Sequence, residues 1–293
     1  VSDDGRLAIV IIAMLGNPFS PSYARARRRK GAADPLPYSS MNVALYARGP
    51  SSAWTLYERK VDARHRAAAS LAIGKSTIGW EGDALVVRID ERTTPLGRPL
   101  RGTVRLHPEG LSGLEYAIDS ERRHLWWPVA PLSRIEVNMN EPSVRFSGHG
   151  YHDANAGDVP LEATFRHWTW SRARQGQSAL LTYDATTLDG AHSELAFALH
   201  HDGAVEPIDG AAHAPIGRSN WGLDRHVRVD QGFPARIVRS LEDGPFYSRA
   251  LVETRLRGER VVAMHEVLAA RRLKAWWVQH CIGYRMRRER FAF

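Results

Sequence analysis

The stretch GHGYHDANAG, Gly148 to Gly157, gathers two imidazoles, a phenol and a carboxylate into one short run. Such a set suits metal ligation by the histidines, proton transfer at the acid end of a catalytic pocket, or a polar turn. In an extended chain successive side chains point to opposite faces, so His149, Tyr151 and Asp153 share a face and His152 points away. That separates the two histidines, and no HExxH or comparable spacing stands elsewhere, so no metal site is expected. Asp153 and Asn155 ahead of Gly157 also suit an Asx-type turn, whose side chain bonds its own backbone. A second stretch, RRHLWWPVAP (122–131), sets His124 and Trp126 two apart, again on one face if extended. Composition does not tell whether the two pairs meet.

The elements that must carry these residues read as strands. Runs such as MNVALYA (41–47), ALVVRIDE (84–91), SRIEVNM (133–139), ATFRHWTWSR (163–172), SALLTYDA (178–185) and ERVVAMHEVL (259–268) are rich in β-branched and aromatic residues. Gly, Pro, Asp or Asn clusters separate them, which predicts an all-β protein of sandwich or barrel type. Helical patterning is confined to Tyr23–Arg29, Ala63–Ala72 and Glu266–Trp277. Roughly sixteen strands exceed what one small barrel uses, so two β domains are expected. The polar, glycine-bearing stretch Arg172–Gln177 is the expected boundary. It leaves residues 1–174 as an N-terminal domain with the candidate site and 175–293 as a C-terminal domain with a basic, aromatic tail.

The chain has 293 residues, 43% hydrophobic and 25% charged, as globular proteins do. One cysteine, Cys281, builds no disulfide frame, and a reducing, cytoplasmic setting is expected. The longest apolar run, Leu7–Leu15, falls short of the ~20 residues of a spanning helix. Its acidic flank VSDDGR argues against a signal-peptide core, which leaves a buried strand. The chain begins with Val rather than Met, so preceding residues are expected in the full protein. The formal charge of +8 is concentrated in YARARRRK (23–30) and near the C-terminus, where Arg271, Arg272, Lys274, Arg285, Arg287, Arg288 and Arg290 interleave with Trp276, Trp277, Tyr284, Phe291 and Phe293. Cations mixed with aromatics suit a membrane interface. No DNA- or RNA-binding motif accompanies the charge, so nucleic acid is not an expected partner.

Several stretches together resemble the carotenoid 1,2-hydratase (hydroxyneurosporene synthase) family. They are GNPFSPSYARARR (16–28), MNVALY (41–46), HLWWPVAP (124–131), GHGYHDANAGDVPLE (148–162), FRHWTWSRA (165–173), NWGLDR (220–225) and LEDGPFYSR (241–249). The resemblance spans most of the chain. It implies two lipocalin-like β-barrels and a cofactor-free hydration of acyclic carotenoids of the lycopene or neurosporene type. It further implies functional roles for a His-x-Trp and a Tyr-x-Asp pair, here His124, Trp126, Tyr151 and Asp153. The protein is then expected at the surface of a photosynthetic membrane, where such substrates reside.

The chemistry fits those residue types. Water does not add to an isolated alkene at neutral pH until a carbon has been protonated. Protonation of the less substituted carbon leaves a tertiary cation, which water captures as an alcohol. Nothing is oxidised, and the chain carries no glycine-rich dinucleotide loop. Asp153 is the expected acid, provided an apolar lumen lifts its pKa from ~3.9. Tyr151 holds that carboxyl or orients water. Trp126 offers a π face to the cation, worth ~2 kcal/mol in a dry site. His124 takes the proton of the attacking water or supports Asp153, and the Asp153 carboxylate itself is an equally good base. Trp168 and Trp170 face one way and read as barrel wall, and Glu242 and Asp243 as a turn. The alternatives are a non-catalytic carrier of a polyene, a related two-barrel enzyme acting on another polyene, and a glycosidase. The last lacks a partner carboxylate for Asp153 other than Asp158 or Glu162.

Overall fold

A computed structural model describes residues 1–31, 33–47, 49–61, 66–67 and 69–288. The chain is mostly β, with short helices at Pro21–Lys30, Leu161–Thr164 and Trp276–Arg285. It packs as two compact units. One takes Val1–Pro108, Ser133–Gly150 and Gln279–Phe293; the other takes Glu109–Leu132 and Tyr151–Val278. The strands His124–Glu141 and Val144–Gly157 each pass from one unit into the other. No helix among the described residues is long and apolar enough to cross a membrane.

In the first unit, Ala8–Met14, Ser39–Tyr46 and Ala53–Arg59 form an antiparallel sheet to which Arg287–Arg288 adds in parallel. The apolar run near the N-terminus is thus a strand, though not the buried one expected: of Ala8–Met14 only Ala8 is buried and Ile12 is exposed. A second sheet runs from residues 133–141 through Pro99–Pro108, Ala84–Arg92, Ser76–Glu81 and Ser70–Ile73 to Arg66–Ala67. Its register aligns Val137, Val104, Val87 and Ile78 in one row, the alternation that buries a face. The helix Pro21–Lys30 is delimited by local rules. The Ser20 hydroxyl accepts from the Tyr23 amide at 3.0 Å, Pro21 opens the first turn and Gly31 ends it at φ 72°. Cationic Arg27–Lys30 sit in its last turn, where the helix dipole favours them.

The second unit holds a seven-stranded sheet in the order Val205–Pro207, His192–His200, Ser178–Thr187, Phe165–Gln175, Glu259–Leu268, Tyr247–Leu256, Arg236–Asp243. The pair Ala212–Arg218 and Asp224–Val229 carries Ala214, Val227 and Val229, which pack with Ala250 and Val252. Tyr116–Ala117 pairs with Trp126 and Leu125 at the start of the long strand.

Five expectations are corrected. The strand paths end rather than return on themselves, so the sheets are not closed barrels. Arg172–Gln177 is no linker: it is the end of one strand and a tight hairpin turn, with Gly176 at φ 56°, inside the seven-stranded sheet. Of the helix expected over Ala63–Ala72, residues 66–67 and 70–73 are strand, because they complete the edge of a sheet; 63–65 and 68 lie outside the described residues. Of the helix expected over Glu266–Trp277, Glu266–Leu268 is likewise strand, Ala270–Lys274 is a short 3-10 helix, and the α-helix begins at Trp276. Glu242 and Asp243 end a strand instead of forming a turn. Arg290, Phe291 and Phe293 of the C-terminal cluster lie outside the described residues.

Candidate active site

The site is assembled within the second unit. The stretch 151–157 stays in the strand Val144–Gly157, so the Asx-type turn expected there does not form. Gly157 serves close approach instead: a Cβ at this position would lie 2.6 Å from Cδ2 of His124. Strand alternation then works as expected. Tyr151 and Asp153 come to one side, and the Tyr151 hydroxyl donates to Asp153 Oδ2 at 3.1 Å. Trp126, from the neighbouring strand, donates its indole N–H to the same oxygen at 2.9 Å. Three of the four residues expected to act together therefore meet at a single carboxylate.

Trp126 has no exposed surface, and its ring lies 5.3 Å from Tyr183, 5.8 Å from Tyr116 and 6.1 Å from Phe197. The Tyr151 ring lies tilted against Trp170 at 5.2 Å, and Trp168 tilted against Tyr183 at 5.5 Å. The two tryptophans read as wall thus face the carboxyl group's surroundings. This aromatic packing removes water from Asp153. Burial pushes its carboxyl up to about 6, the negative charge of Glu266 adds to the rise, and the bonds from Trp126 and Tyr151 work against it. Burial and the nearby Asp153 charge also push the Tyr151 phenol well up, so it stays a donor at neutral pH. Asp153 is only half-buried, so a carboxyl group with a raised pKa is still open to a substrate.

His124 stands apart. It is 3% exposed, its amide donates to Asp119 Oδ1 at 3.0 Å, and its Nδ1 lies 3.4 Å from Asp119 Oδ2. Its Nε2 faces the Val159 carbonyl at 3.2 Å, and its ring meets the edge of Phe165 at 4.7 Å. Both ring nitrogens are thereby engaged, and no hydrogen bond joins His124 to Asp153 among the described residues. The imidazole holds the first residues of the strand that delivers Trp126.

Asp158 and Glu162 are not partners of Asp153. Asp158 is an exposed carboxylate paired with Arg123 at 2.9 Å, and Glu162 is in the short helix Leu161–Thr164. The carboxylate that acts on Asp153 is Glu266, which the sequence reading missed. Directly opposite residues of antiparallel strands share a face. The register therefore sets Tyr183, Trp170, Glu266, Arg249 and Glu242 side by side across the sheet. Arg249 is 1% exposed and donates from Nε to Glu266 Oε1 at 2.7 Å, with Glu242 Oε2 3.5 Å from Nη1. A polar residue at an inward position of the strand Glu259–Leu268 was the available signal. Its significance depends on which strands are neighbours. Of the histidines first weighed as ligands, His149 faces Asp3 at 3.6 Å in the first unit, and burial depresses the pKa of His152.

A family model described as carotenoid hydratase CrtC matches residues 11–293. Over 98% of its length the chain is 42% identical to an acyclic carotenoid 1,2-hydratase of Thiocapsa roseopersicina, covering 71% of that protein. It is 38% identical, over 90% of its length, to an acyclic carotenoid 1,2-hydratase of Cereibacter sphaeroides, covering 93% of it. Among solved structures, a protein described as an AttH of Nitrosomonas europaea matches with a TM-score of 0.57 at 14% identity, covering 92% of this chain and 89% of that one. At such identity the likeness concerns the fold alone.

Proposed function

The chain belongs to the CrtC carotenoid hydratase family, and from that premise we propose that it adds water across the terminal 1,2 double bond of an acyclic carotenoid. Asp153 in its protonated form gives its proton to C2. The π electrons form the new C–H bond and leave a tertiary cation at C1, beside an Asp153 carboxylate. Water bonds to C1 and loses a proton to a base, giving the tertiary alcohol. Atoms balance as alkene plus water, and no electrons are exchanged with a second reactant. The reading therefore needs no redox cofactor.

One observation carries this reading: a half-buried carboxyl raised to about 6 and bonded by Trp126 and Tyr151 at one oxygen. An acid that spends an appreciable fraction of its time protonated at neutral pH is what alkene protonation requires. The surrounding π faces of Trp126, Tyr116, Tyr183 and Phe197 suit a carbocation, since cations are drawn to aromatic faces. In this scheme Tyr151 and Trp126 aim the carboxyl, and His124 supports the strand that carries Trp126. Each unit is read as a lipocalin-like element, and the substrate is drawn from a lipid phase. Peripheral membrane contact is assigned to exposed aromatic and basic residues such as Trp276, 81% exposed, with Arg271 and Lys274 beside it in sequence.

The test is incubation of the purified protein with lycopene or neurosporene in liposomes, without oxygen or added cofactor. A product heavier by one water is expected, with solvent hydrogen on C2. Asp153→Asn should bind the polyene and form no product. Full turnover by that variant refutes the acid assignment, and binding without turnover by the natural chain leaves a carrier.

A further inference from the structure

Resting on the hydratase reading, we propose that Glu266 is the base of the reaction: it binds the nucleophilic water and takes its proton, while Asp153 acts only as the acid. The reaction needs a group to receive the proton of the attacking water. His124 is unsuited, because its ring nitrogens face Asp119 and the Val159 carbonyl. The Asp153 carboxylate is accessible to that proton, but its oxygen Oδ2 already accepts from both Trp126 and Tyr151.

Glu266 has what the role requires. Its side chain is 17% exposed and its Oε1 is fixed by Arg249, whose guanidinium is 1% exposed and has Glu242 on its far side. No hydrogen bond to Glu266 Oε2 is made among the described residues, so this oxygen is open to a water. Beside it in the cross-strand row, Trp170 has a buried indole N–H without a hydrogen-bond partner. An unmet buried donor is destabilising, so a polar guest is favoured there. A water held by Trp170 Nε1–H and Glu266 Oε2 would keep a lone pair for the cation and present a proton to the carboxylate. Trp170 packs against Tyr151, which bonds Asp153, so this water site lies on the sheet face that adjoins the acid.

Two neighbouring carboxyl groups in unlike surroundings are the usual arrangement of an acid–base pair. Asp153 is desolvated by aromatic rings and opposed by the charge of Glu266, whereas Glu266 is ion-paired to Arg249. The other charged or titratable groups facing Asp153 or its partners are Tyr151, Tyr183, Arg172 and Glu242. In the proposed cycle, C2 takes the Asp153 proton, C1 takes the water oxygen, and Glu266 takes the water proton. That proton returns to Asp153 through solvent, which restores both groups.

The experiment compares Glu266→Gln and Glu266→Asp with the natural chain. It measures kcat, KM and, without substrate, the infrared titration of the Asp153 carboxyl, identified by its loss in Asp153→Asn. Loss of a general base lowers kcat by about 10²–10⁴-fold, so Glu266→Gln should fall within that range with KM little changed. Removing the like charge should also move the Asp153 titration to lower pH, and Glu266→Asp should recover part of kcat. Equal thermal midpoints separate this result from misfolding. If Glu266→Gln unfolds, Trp170→Phe substitutes for it: the ring remains, the N–H is lost, and kcat should drop at an unmoved Asp153 titration. Wild-type kcat in a folded Glu266→Gln or Trp170→Phe overturns the proposal. If the natural chain hydrates no carotenoid, the hydratase reading fails instead, and a lowered Asp153 titration in Glu266→Gln still supports the coupled pair.

Discussion

Replacing Tyr151 by Phe deletes one oxygen from the site and leaves the ring packed against Trp170. That oxygen donates to Asp153 Oδ2 at 3.1 Å and so favours the charged carboxylate. Its loss should therefore raise the Asp153 pKa above about 6, not lower it. A hydrogen bond to a charged group contributes ~1.5–3 kcal/mol net, and this one is long and shares its acceptor with Trp126. Taking ~1.4 kcal/mol as its value gives a shift of roughly one pH unit. In the natural chain, the alkaline limb of activity, set by protonated Asp153, should fall about tenfold per unit above pH ~6. In Tyr151→Phe the fall should begin near pH ~7, so the ratio of variant to natural activity rises several-fold between pH ~5 and pH ~8. The absolute rate at low pH should drop, since the weaker acid protonates carbon more slowly and the carboxyl is less firmly aimed. The assay is kcat/KM against pH with a carotenoid in liposomes, paired with infrared titration of the carboxyl. A limb that stays in place or moves to lower pH would refute the view that this phenol stabilises the ionised acid.

Asp153 should also register in stability. Its folded pKa lies above the ordinary 3.8, so the favourable contribution is complete below that value and is lost as pH rises through about 6. The shift corresponds to up to ~3 kcal/mol, discounted to ~1–2 for partial exposure. Asp153→Asn should raise the thermal midpoint by a few degrees at pH ~8 and have little effect at pH ~4, as scanning calorimetry will show; a destabilised variant at the higher pH counts against the desolvation argument. Gly157→Ala should displace His124 and lower the midpoint by several degrees, because the added Cβ meets the ring at 2.6 Å. Trp276→Ser should weaken sedimentation with anionic liposomes several-fold and leave turnover of detergent-dispersed substrate intact; unchanged sedimentation removes that residue from the membrane face.

The strands were legible because their cause is local. Alternation in Val144–Gly157 placed Tyr151 and Asp153 together, and the structure joins them through one hydrogen bond. The helix Pro21–Lys30 was legible for the same reason, since Ser20, Pro21 and Gly31 are signals within its own sequence. Readings that weighed local composition against long-range pairing fared worse. Arg172–Gln177 looks like a linker by composition, yet its neighbours pair along the whole of two strands. Asp153–Gly157 has turn chemistry, yet a neighbouring strand keeps it extended. His124 shares a strand face with Trp126, but Asp119 and Val159 claim its nitrogens.

By itself the sequence determined the mostly-β class and the face on which Tyr151 and Asp153 lie, and its resemblance to a family singled out Asp153 as the carboxyl group proposed to act as the acid. Periodicity and turn residues act over a few positions, so they are written in the order of the letters. The tertiary structure alone decided that Trp126 bonds Asp153, that His124 does not, and that Glu266 lies near enough to oppose its charge. Trp126 and Asp153 are separated by 27 positions and Asp153 and Glu266 by more than a hundred. Electrostatic and hydrogen-bonding energies depend on distance in space and on the exclusion of water, and both are set by which strands become neighbours.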